Sequence, residues 1–548
     1  MSSIKRMPAK HCADCVKRPT RKLQIKQMRC SSKSRSTRPT SAIRTDVNES
    51  MNQSQAPLSD PPTRFPFQGR GMAATLVGLA ILVIATGYLL APGFLPASAW
   101  DNPVVPLAIP LVATLGAFSA MFRPRWVLYG FVFTAIVVHS VLEELYLPLG
   151  FMKLYITDAV FAFNISFIGV RLLFGIWPWQ KLRINRYVMA YLALGLWGVV
   201  NGLLLKHNDY DVVFGDFRRA YFYFSNFFVV LLLCDSWKEV RTLRNVVLVA
   251  CASLTLKAFF QATSGQFYYR RAGDAAHVLS QYEIIFISII LFYALAHLLY
   301  APTRHRLAWA ATAGASIVAI ILANYRAGWL GTMAGLGFLF LLLPWRRKMR
   351  MAMLGILGFM FISTAVLLMW EQKVTEGNST VGQELLQKAN VKQTSTDINV
   401  IWRFQSYTAA LAKWREYPLL GSGLGTYVDF YAPTSTGGSI LAEGHNIHNS
   451  MLWLLMTQGL LGFAVIMTMH VMFLRMSISF LRRTQWTEGR IFVTAATAYY
   501  AAMMVATLFE NFLEHATPIT VFSTMMALSM LTIAHEESQA SRAVIESP

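Results

Sequence analysis

The chain has 548 residues, of which 55% are hydrophobic and only 14% are charged. This composition is too apolar for a soluble globular domain, so it excludes functions that require the protein to be soluble. The net charge of +21 would suggest a nucleic-acid partner in a soluble protein, but in a membrane protein it follows from topology, so no nucleic acid is expected.

Residues 1–70 predict a disordered basic cytoplasmic tail. They hold 15 Lys or Arg against 4 Asp or Glu and almost no aromatic residues, so they cannot bury a core. Cys12 and Cys15 form one CxxC pair without a second pair, which favours reduced thiols over a zinc site. The first apolar run begins near Met72, which predicts an uncleaved membrane anchor.

Apolar runs of membrane-spanning length then recur along the chain. We predict an all-α, polytopic helical membrane protein with about 12–14 transmembrane helices and one large periplasmic loop. Fourteen spans are expected near 72–91, 104–121, 126–142, 156–176, 187–205, 220–234, 246–263, 282–300, 307–323, 327–344, 350–370, 451–474, 491–508 and 517–534. The domains are then a bundle at 71–370, a periplasmic loop with an amphipathic helix at 371–450, C-terminal transmembrane helices at 451–535 and a cytoplasmic tail at 536–548.

Basic residues in alternate loops predict the orientation, because loops rich in Lys and Arg stay in the cytoplasm. Every second loop after the basic tail is basic, for example at Arg123 and Arg125, at Arg346 and Arg347, and at Arg482. The segment 371–450 is therefore expected on the outer face of the membrane.

A few arginines break this charge rule, since they lie on the expected outer side: Arg218, Arg219, Arg270, Arg271, Arg326, Arg403 and Arg415. A guanidinium at the end of a membrane helix is costly unless it has a partner or a water-filled cavity, and it suits bidentate binding of phosphate oxygens. An anionic lipid head group, with a diphosphate as the first candidate, explains the set. The alternative is that these arginines snorkel to the membrane surface or pair with Asp209, Asp211, Asp216 and Asp274.

The outer segment contains the densest polar chemistry. Val400, Phe404, Tyr407, Leu411 and Trp414 form an apolar stripe at helical spacing, which predicts an amphipathic helix that ends at Pro418. The sequence Gly-Ser-Gly-Leu-Gly at 421–425 follows. It favours a tight turn over a phosphate-binding loop, because it lacks the Lys of a P-loop and the strand–helix context.

His445 and His448 lie three residues apart, with Glu443 close by. This spacing allows a metal site, but no clear third ligand exists, so no metal and no cofactor are expected. A neutral His448 can instead accept a proton from an incoming hydroxyl. The last outer loop contains a reserve set of residues for proton transfer, Glu510, Glu514 and His515. We expect these residues to solvate a helix end instead.

Three pieces in order resemble the O-antigen ligase and polymerase superfamily of bacterial envelope proteins. They are Arg-Ala-Gly-Trp-Leu at 326–330, Arg403 and Trp414 before Tyr-Pro-Leu-Leu-Gly-Ser-Gly-Leu-Gly at 417–425, and His448-Asn449 before Gly-Leu-Leu-Gly at 459–462. The resemblance covers about residues 210–475. The chain departs from the family in having fourteen predicted spans where about twelve are usual, and in its basic tail.

The resemblance implies a multi-pass glycosyltransferase of the inner membrane that takes a glycan from an undecaprenyl-diphosphate carrier on the periplasmic face. The acceptor is a glycolipid in ligases of lipopolysaccharide synthesis and another carrier-linked glycan in polymerases. By motif, His448 is the catalytic residue, and Arg218 or Arg219, Arg326 and Arg403 bind the donor diphosphate. His445 and Asn449 complete the expected substrate-binding set. A transporter or flippase for the same lipids is the alternative from another class.

Reporter fusions test the predicted topology. A periplasmic reporter joined after Gly377 should be active and one joined after Arg483 should be inactive, because the basic loops agree in one register. Cytoplasmic activity at the first site would overturn the orientation.

Overall fold

The structure is a computed structural model. The residues that this structure describes are 124–138, short stretches between 146 and 180, and residues 182–264, 278–301, 305–369, 398–433, 438–445 and 447–546. Several expectations lie outside these residues: the basic tail and its cysteines, the spans at 72–91 and 104–121, Arg270 and Arg271, and the segment 371–397.

Helices dominate the described residues. In chain order they are α1 (Pro124–Val137), α2 (Asn185–Val200), α3 (Tyr210–Phe217), α4 (Asn226–Leu233), α5 (Trp237–Ser264), α6 (Gln281–Tyr300), α7 (Arg306–Leu322), α8 (Arg326–Leu342), α9 (Trp345–Met369), α10 (Ile398–Glu416), α11 (Ser450–Arg483), α12 (Thr487–Ala506) and α13 (Ala516–Glu546). Two antiparallel hairpins interrupt them, β1 (Tyr146–Pro148) with β2 (Lys153–Tyr155) and β3 (Val428–Pro433) with β4 (Ser439–His445).

The predicted fold class is confirmed: the protein is an all-α polytopic membrane protein. Within the described residues, five helical segments are long and apolar enough to cross a membrane: Asn185–Leu205, Trp237–Ser264, Gln281–Tyr300, Ser450–Arg483 and Ala516–Ser541. Three shorter apolar helices, α1, α7 and α8, accompany them. The last helix continues to Glu546, past the predicted boundary at 535.

The segment α11 is broken at Gly459, which has φ +64° and ψ −175°. The turn at 418–423 supplies the hydrogen bonds that the break removes. The N–H groups of Leu460 and Leu461 donate to the carbonyls of Pro418 (2.8 Å) and Leu419 (3.2 Å). In return, the turn donates to carbonyls of the broken helix, from Ser422 to Met456 (2.9 Å) and from Gly423 to Thr457 (3.0 Å). Irregular backbone at membrane depth is tolerated only when protein groups satisfy it, and this exchange does so.

The same turn is hydrogen-bonded to the C-terminal end of α2 and the residues that follow it. The N–H of Leu424 donates to the carbonyl of Gly198 at 3.1 Å, and the side chain of Asn208 donates to the carbonyl of Leu424 at 2.7 Å. Three glycines at 421, 423 and 425 have φ between +75° and +80°, a region that L side chains rarely adopt. The glycines therefore build a tight turn, as the sequence favoured.

The amphipathic helix exists as α10, but its buried face differs from the predicted stripe. Ser406 and Ala410 are buried, whereas Phe404 is 66% exposed and Leu411 is also exposed. The helix packs against α11 and β3. In this position, Arg403 contacts Glu510, and the hydroxyl of Tyr407 donates to the carbonyl of His448.

A glycine substitution tests the hydrogen-bond exchange. In Gly459→Ala, the new Cβ would stand 2.3 Å from the carbonyl oxygen of Leu419, and the positive φ alone costs about 1–3 kcal/mol. We therefore expect the variant to lower the apparent Tm of the detergent-solubilised chain markedly. Gly337→Ala in α8 is the matched control, because nothing lies within 4 Å of its Cβ position. Equal Tm values for the two variants would contradict the exchange.

Candidate functional site

His448 lies between the end of β4 and the start of α11, and its position is fixed by the backbone around it. Its carbonyl accepts a hydrogen bond from the hydroxyl of Tyr407 at 2.8 Å. The next residue, Asn449, caps α11 by accepting from the N–H of Leu452 at 3.0 Å. The N–H of Ser450 then donates to the carbonyl of Thr507 at 2.9 Å, which joins the start of α11 to the end of α12.

The carboxylate of Glu510 joins two of the predicted residues. Its Oε1 accepts from Nη2 of Arg403 at 2.5 Å, and its Oε2 lies 3.2 Å from Nδ1 of His448. Glu510 is only 3% exposed, so this charge is buried and paired. A buried carboxylate needs such partners, because an isolated charge in an apolar interior is very costly.

This contact determines which imidazole nitrogen can act as a base. A carboxylate only accepts hydrogen bonds, so the proton between the two groups belongs to Nδ1 of His448. In the neutral ring, Nε2 then has the free lone pair. The side chain of His448 is 39% exposed, which leaves it accessible to a substrate hydroxyl. The arrangement of a nucleophile-activating histidine oriented by a carboxylate is a recurring catalytic device.

A second charged group surrounds Arg219. Its Nη2 lies 2.9 Å from Oδ1 of Asp216, and Oδ2 of Asp216 accepts from the N–H of Gly425 at 2.9 Å. Burial raises the pKa of the Asp216 carboxyl, although the Arg219 charge and the Gly425 N–H oppose that change. Burial lowers the pKa of Arg219, but the nearby Asp216 and Glu514 more than offset it, and the net direction is upward. The guanidinium is therefore charged and still partly exposed.

Arg218 points to different partners. Its Nη1 lies 2.8 Å from Asp158, and its guanidinium stacks over the ring of Tyr155 at 4.1 Å. Arg326 is the first residue of α8, which packs along α12. The sequence left open whether the outer arginines pair with aspartates, and Arg219 does so with Asp216. The substrate-binding roles of Arg218, Arg326 and Asn449 stay predictions.

The glycine-rich turn does not cradle phosphate in this structure. Each backbone N–H from Gly421 to Gly425 already donates to an acceptor: the carbonyls of Tyr417, Met456, Thr457 and Gly198 and the carboxylate of Asp216, respectively. The turn holds the carboxylate of Asp216 through the N–H of Gly425, and Asp216 in turn pairs with Arg219.

The predicted metal alternative involved Glu443, His445 and His448. Among the side chains that the structure describes, no group of three or more His, Cys, Asp or Glu residues could hold a metal ion. The side chain of His445 lies outside the described set, so its substrate-binding role stays a prediction. Glu443 is exposed on β4.

Sequence reasoning misjudged two acidic residues. We expected Glu510 and Glu514 to solvate a helix end, but both are buried between α12 and α13. Burial raises the pKa of Glu514 well above its ordinary value, with a further increase from Asp216, opposed by Arg219 and a hydrogen bond with Ser450. Burial likewise raises the pKa of Tyr407 to about 12, so its hydroxyl stays a donor. An isolated glutamate after an apolar run gives no sequence signal of such a role.

Comparison with known proteins agrees with the motifs. Residues 311–467 match the family described as O-antigen ligase, a range that includes Arg326, Arg403 and His448. The search of curated proteins finds no match to the chain. The matched range ends before Glu510 and begins after Arg219, so the site extends beyond it on both sides. Residues 311–467 of this membrane protein are thus similar to the O-antigen ligase family.

Proposed function

We propose that this protein is a glycosyltransferase that moves a glycan from an undecaprenyl-diphosphate carrier to an acceptor hydroxyl on the periplasmic face of the inner membrane. The observation that carries the proposal is the contact of one buried carboxylate, Glu510, with both His448 and Arg403. It joins the imidazole of His448 to the guanidinium of Arg403, and a base close to a cation suits transfer from a diphosphate. No metal is assigned a role in this reaction.

The proposed role of the arginines is to bind the diphosphate of the donor. A diphosphate is a good leaving group, so its departure needs stabilisation of charge more than a strong acid. Arg403 uses Nη2 for Glu510, and Arg219 uses Nη2 for Asp216, so each guanidinium retains further N–H donors for phosphate oxygens. Arg326 is the third proposed donor ligand. Removal of one preorganised donor in comparable sites costs about 3–4 kcal/mol of transition-state stabilisation.

The proposed role of His448 is to activate the acceptor hydroxyl. Its Nε2 takes the proton of the acceptor hydroxyl while the hydroxyl oxygen forms a bond to the anomeric carbon. The bond from that carbon to the phosphate oxygen breaks, and the diphosphate leaves with the electron pair. Direct displacement inverts the anomeric carbon. Glu510 then faces an imidazolium, whose positive charge it stabilises through Nδ1.

The identity of the acceptor separates a ligase from a polymerase, and the ligase is our first proposal. The polysaccharide profile of a deletion strain distinguishes them. Core glycolipid without attached polymer supports a ligase. Single repeat units without long chains would instead support a polymerase.

A double-mutant cycle tests the pairing of His448 with Glu510. His448→Ala should lower transfer from the lipid-linked donor by about 10²–10⁴-fold, because the general base is lost. Glu510→Gln should also lower it by about 10²–10⁴-fold, because the imidazole loses its orienting charge. The double variant should lose little beyond His448→Ala alone, because groups that act as one unit are not additive.

The control for this cycle is Glu443→Gln, since Glu443 is exposed and outside the charged cluster. It should retain wild-type turnover, whereas His445→Ala should cost much less than His448→Ala. Wild-type activity in Glu510→Gln would remove Glu510 from the site. If the losses of transfer caused by the two single substitutions instead add fully in the double variant, the effect of Glu510→Gln is assigned to its contact with Arg403.

A matched pair of arginine substitutions tests the assignment of the donor ligand. Arg219→Lys should lower transfer by about 10–100-fold, since a point ammonium cannot reproduce a bidentate fork on phosphate. Arg218→Lys should lower the apparent Tm and leave turnover within about threefold, because Arg218 holds Asp158 and Tyr155. The reverse pattern would assign the donor to Arg218.

A further inference from the structure

Glu514 is a buried acid that the proposed reaction does not use. It is 6% exposed, and its Oε1 has no hydrogen-bond partner among the described residues. It lies in the loop between α12 and α13, beside the segment that carries Arg219 and close to the start of α11. Its carboxyl group is close enough to Ser450, Asp216 and Arg219 for all three to influence its pKa.

The charges around Glu514 do not balance if it is ionised. Asp216 already occupies Nη2 of Arg219 and accepts the Gly425 N–H, so the arginine and the aspartate form a neutral pair. An ionised Glu514 would give this buried group a net charge of −1, with one carboxylate oxygen unsatisfied. Burial of such a charge is costly, so the group prefers to hold a proton. That preference agrees with the raised pKa of Glu514.

We propose that Glu514 is a positioning residue that controls the charge of the donor site: it must carry a proton for Arg219 to hold an anionic diphosphate. This inference rests on the proposed function. With Glu514 neutral, the positive potential of Arg219 is opposed by one carboxylate, and the bound diphosphate faces no second one. With Glu514 ionised, two carboxylates surround one guanidinium, and they repel the diphosphate.

Other titratable groups near this loop contribute to any pH dependence. They are Asp216, Arg219 and Tyr221 on and after α3, Tyr427 after the glycine-rich turn, Tyr282 on α6, and Arg403, His448, Glu510 and His515 around the loop itself. A substitution at Glu514 separates its contribution from theirs, because it leaves all of them in place.

The experiment measures binding of undecaprenyl diphosphate to the purified full-length chain in nanodiscs between about pH 6 and about pH 9, the range in which buried glutamates are known to titrate. Wild-type affinity should fall by about tenfold per pH unit once Glu514 ionises, since only the protonated form is competent. Glu514→Gln cannot ionise and should lose this part of the pH dependence. Glu443→Gln, at an exposed glutamate, should follow the wild-type profile.

A second measurement does not depend on a variant that folds. Calorimetric titration of the wild type near the upper end of that range, in two buffers of different ionisation enthalpy, should show proton uptake on binding. Arginine contacts favour ionised phosphate, so they would release protons, and uptake therefore identifies a carboxyl group.

The results distinguish failure of the inference about Glu514 from failure of the proposed function. If Glu514→Gln retains the wild-type pH dependence, or if the wild type takes up no proton, the inference is overturned while the proposed function stands. If the wild type does not bind the lipid diphosphate at any pH, the proposed function falls and the inference falls with it.

Discussion

The exchange of hydrogen bonds across the break in α11 is the constraint on which the candidate-site end of the bundle depends. Four backbone bonds join the turn at 418–423 to residues 456–461, and each segment satisfies groups that the other leaves unpaired. One end of this junction leads through Gly425 to Asp216 and Arg219. The other end leads through the first turns of α11 to His448. The two glycine-containing motifs of the family are therefore two sides of one contact.

The loop between α12 and α13 completes the arrangement, because it contacts both charged groups. Glu510 joins Arg403 to His448, and Glu514 is coupled to Arg219 and Asp216. Ser450 holds the loop in place: its hydroxyl accepts from the N–H of Leu513 at 3.1 Å. Arg403 and Arg219 each have a carboxylate partner, Glu510 and Asp216 respectively. These partners keep the two guanidinium groups charged and oriented in an apolar bundle, where an unpaired arginine would be costly.

The sequence predicted the fold class and the similarity to the O-antigen ligase family, because span length, loop charge and ordered motifs are local properties. It also brought attention to His448, Arg403 and Arg219, whose residue types are unusual for the outer side. It did not predict the break at Gly459, since the apolar pattern on both sides matches one continuous helix. It misjudged Glu510, which meets His448 across 62 residues, because packing of helices rather than spacing in the chain produces that contact.

The positions of the charged residues along the chain have a consequence for biogenesis. Arg219, His448 and Glu510 come from segments that enter the membrane at different times during synthesis, and the loop that carries Glu510 emerges near the end. A nascent chain that has inserted α11 already contains every motif of the family match, yet its histidine has no carboxylate to orient it. The contact between Glu510 and His448 forms only when the last two helices pack against the earlier ones. Under the proposed mechanism, an incompletely inserted chain therefore has no oriented base to deprotonate an acceptor hydroxyl.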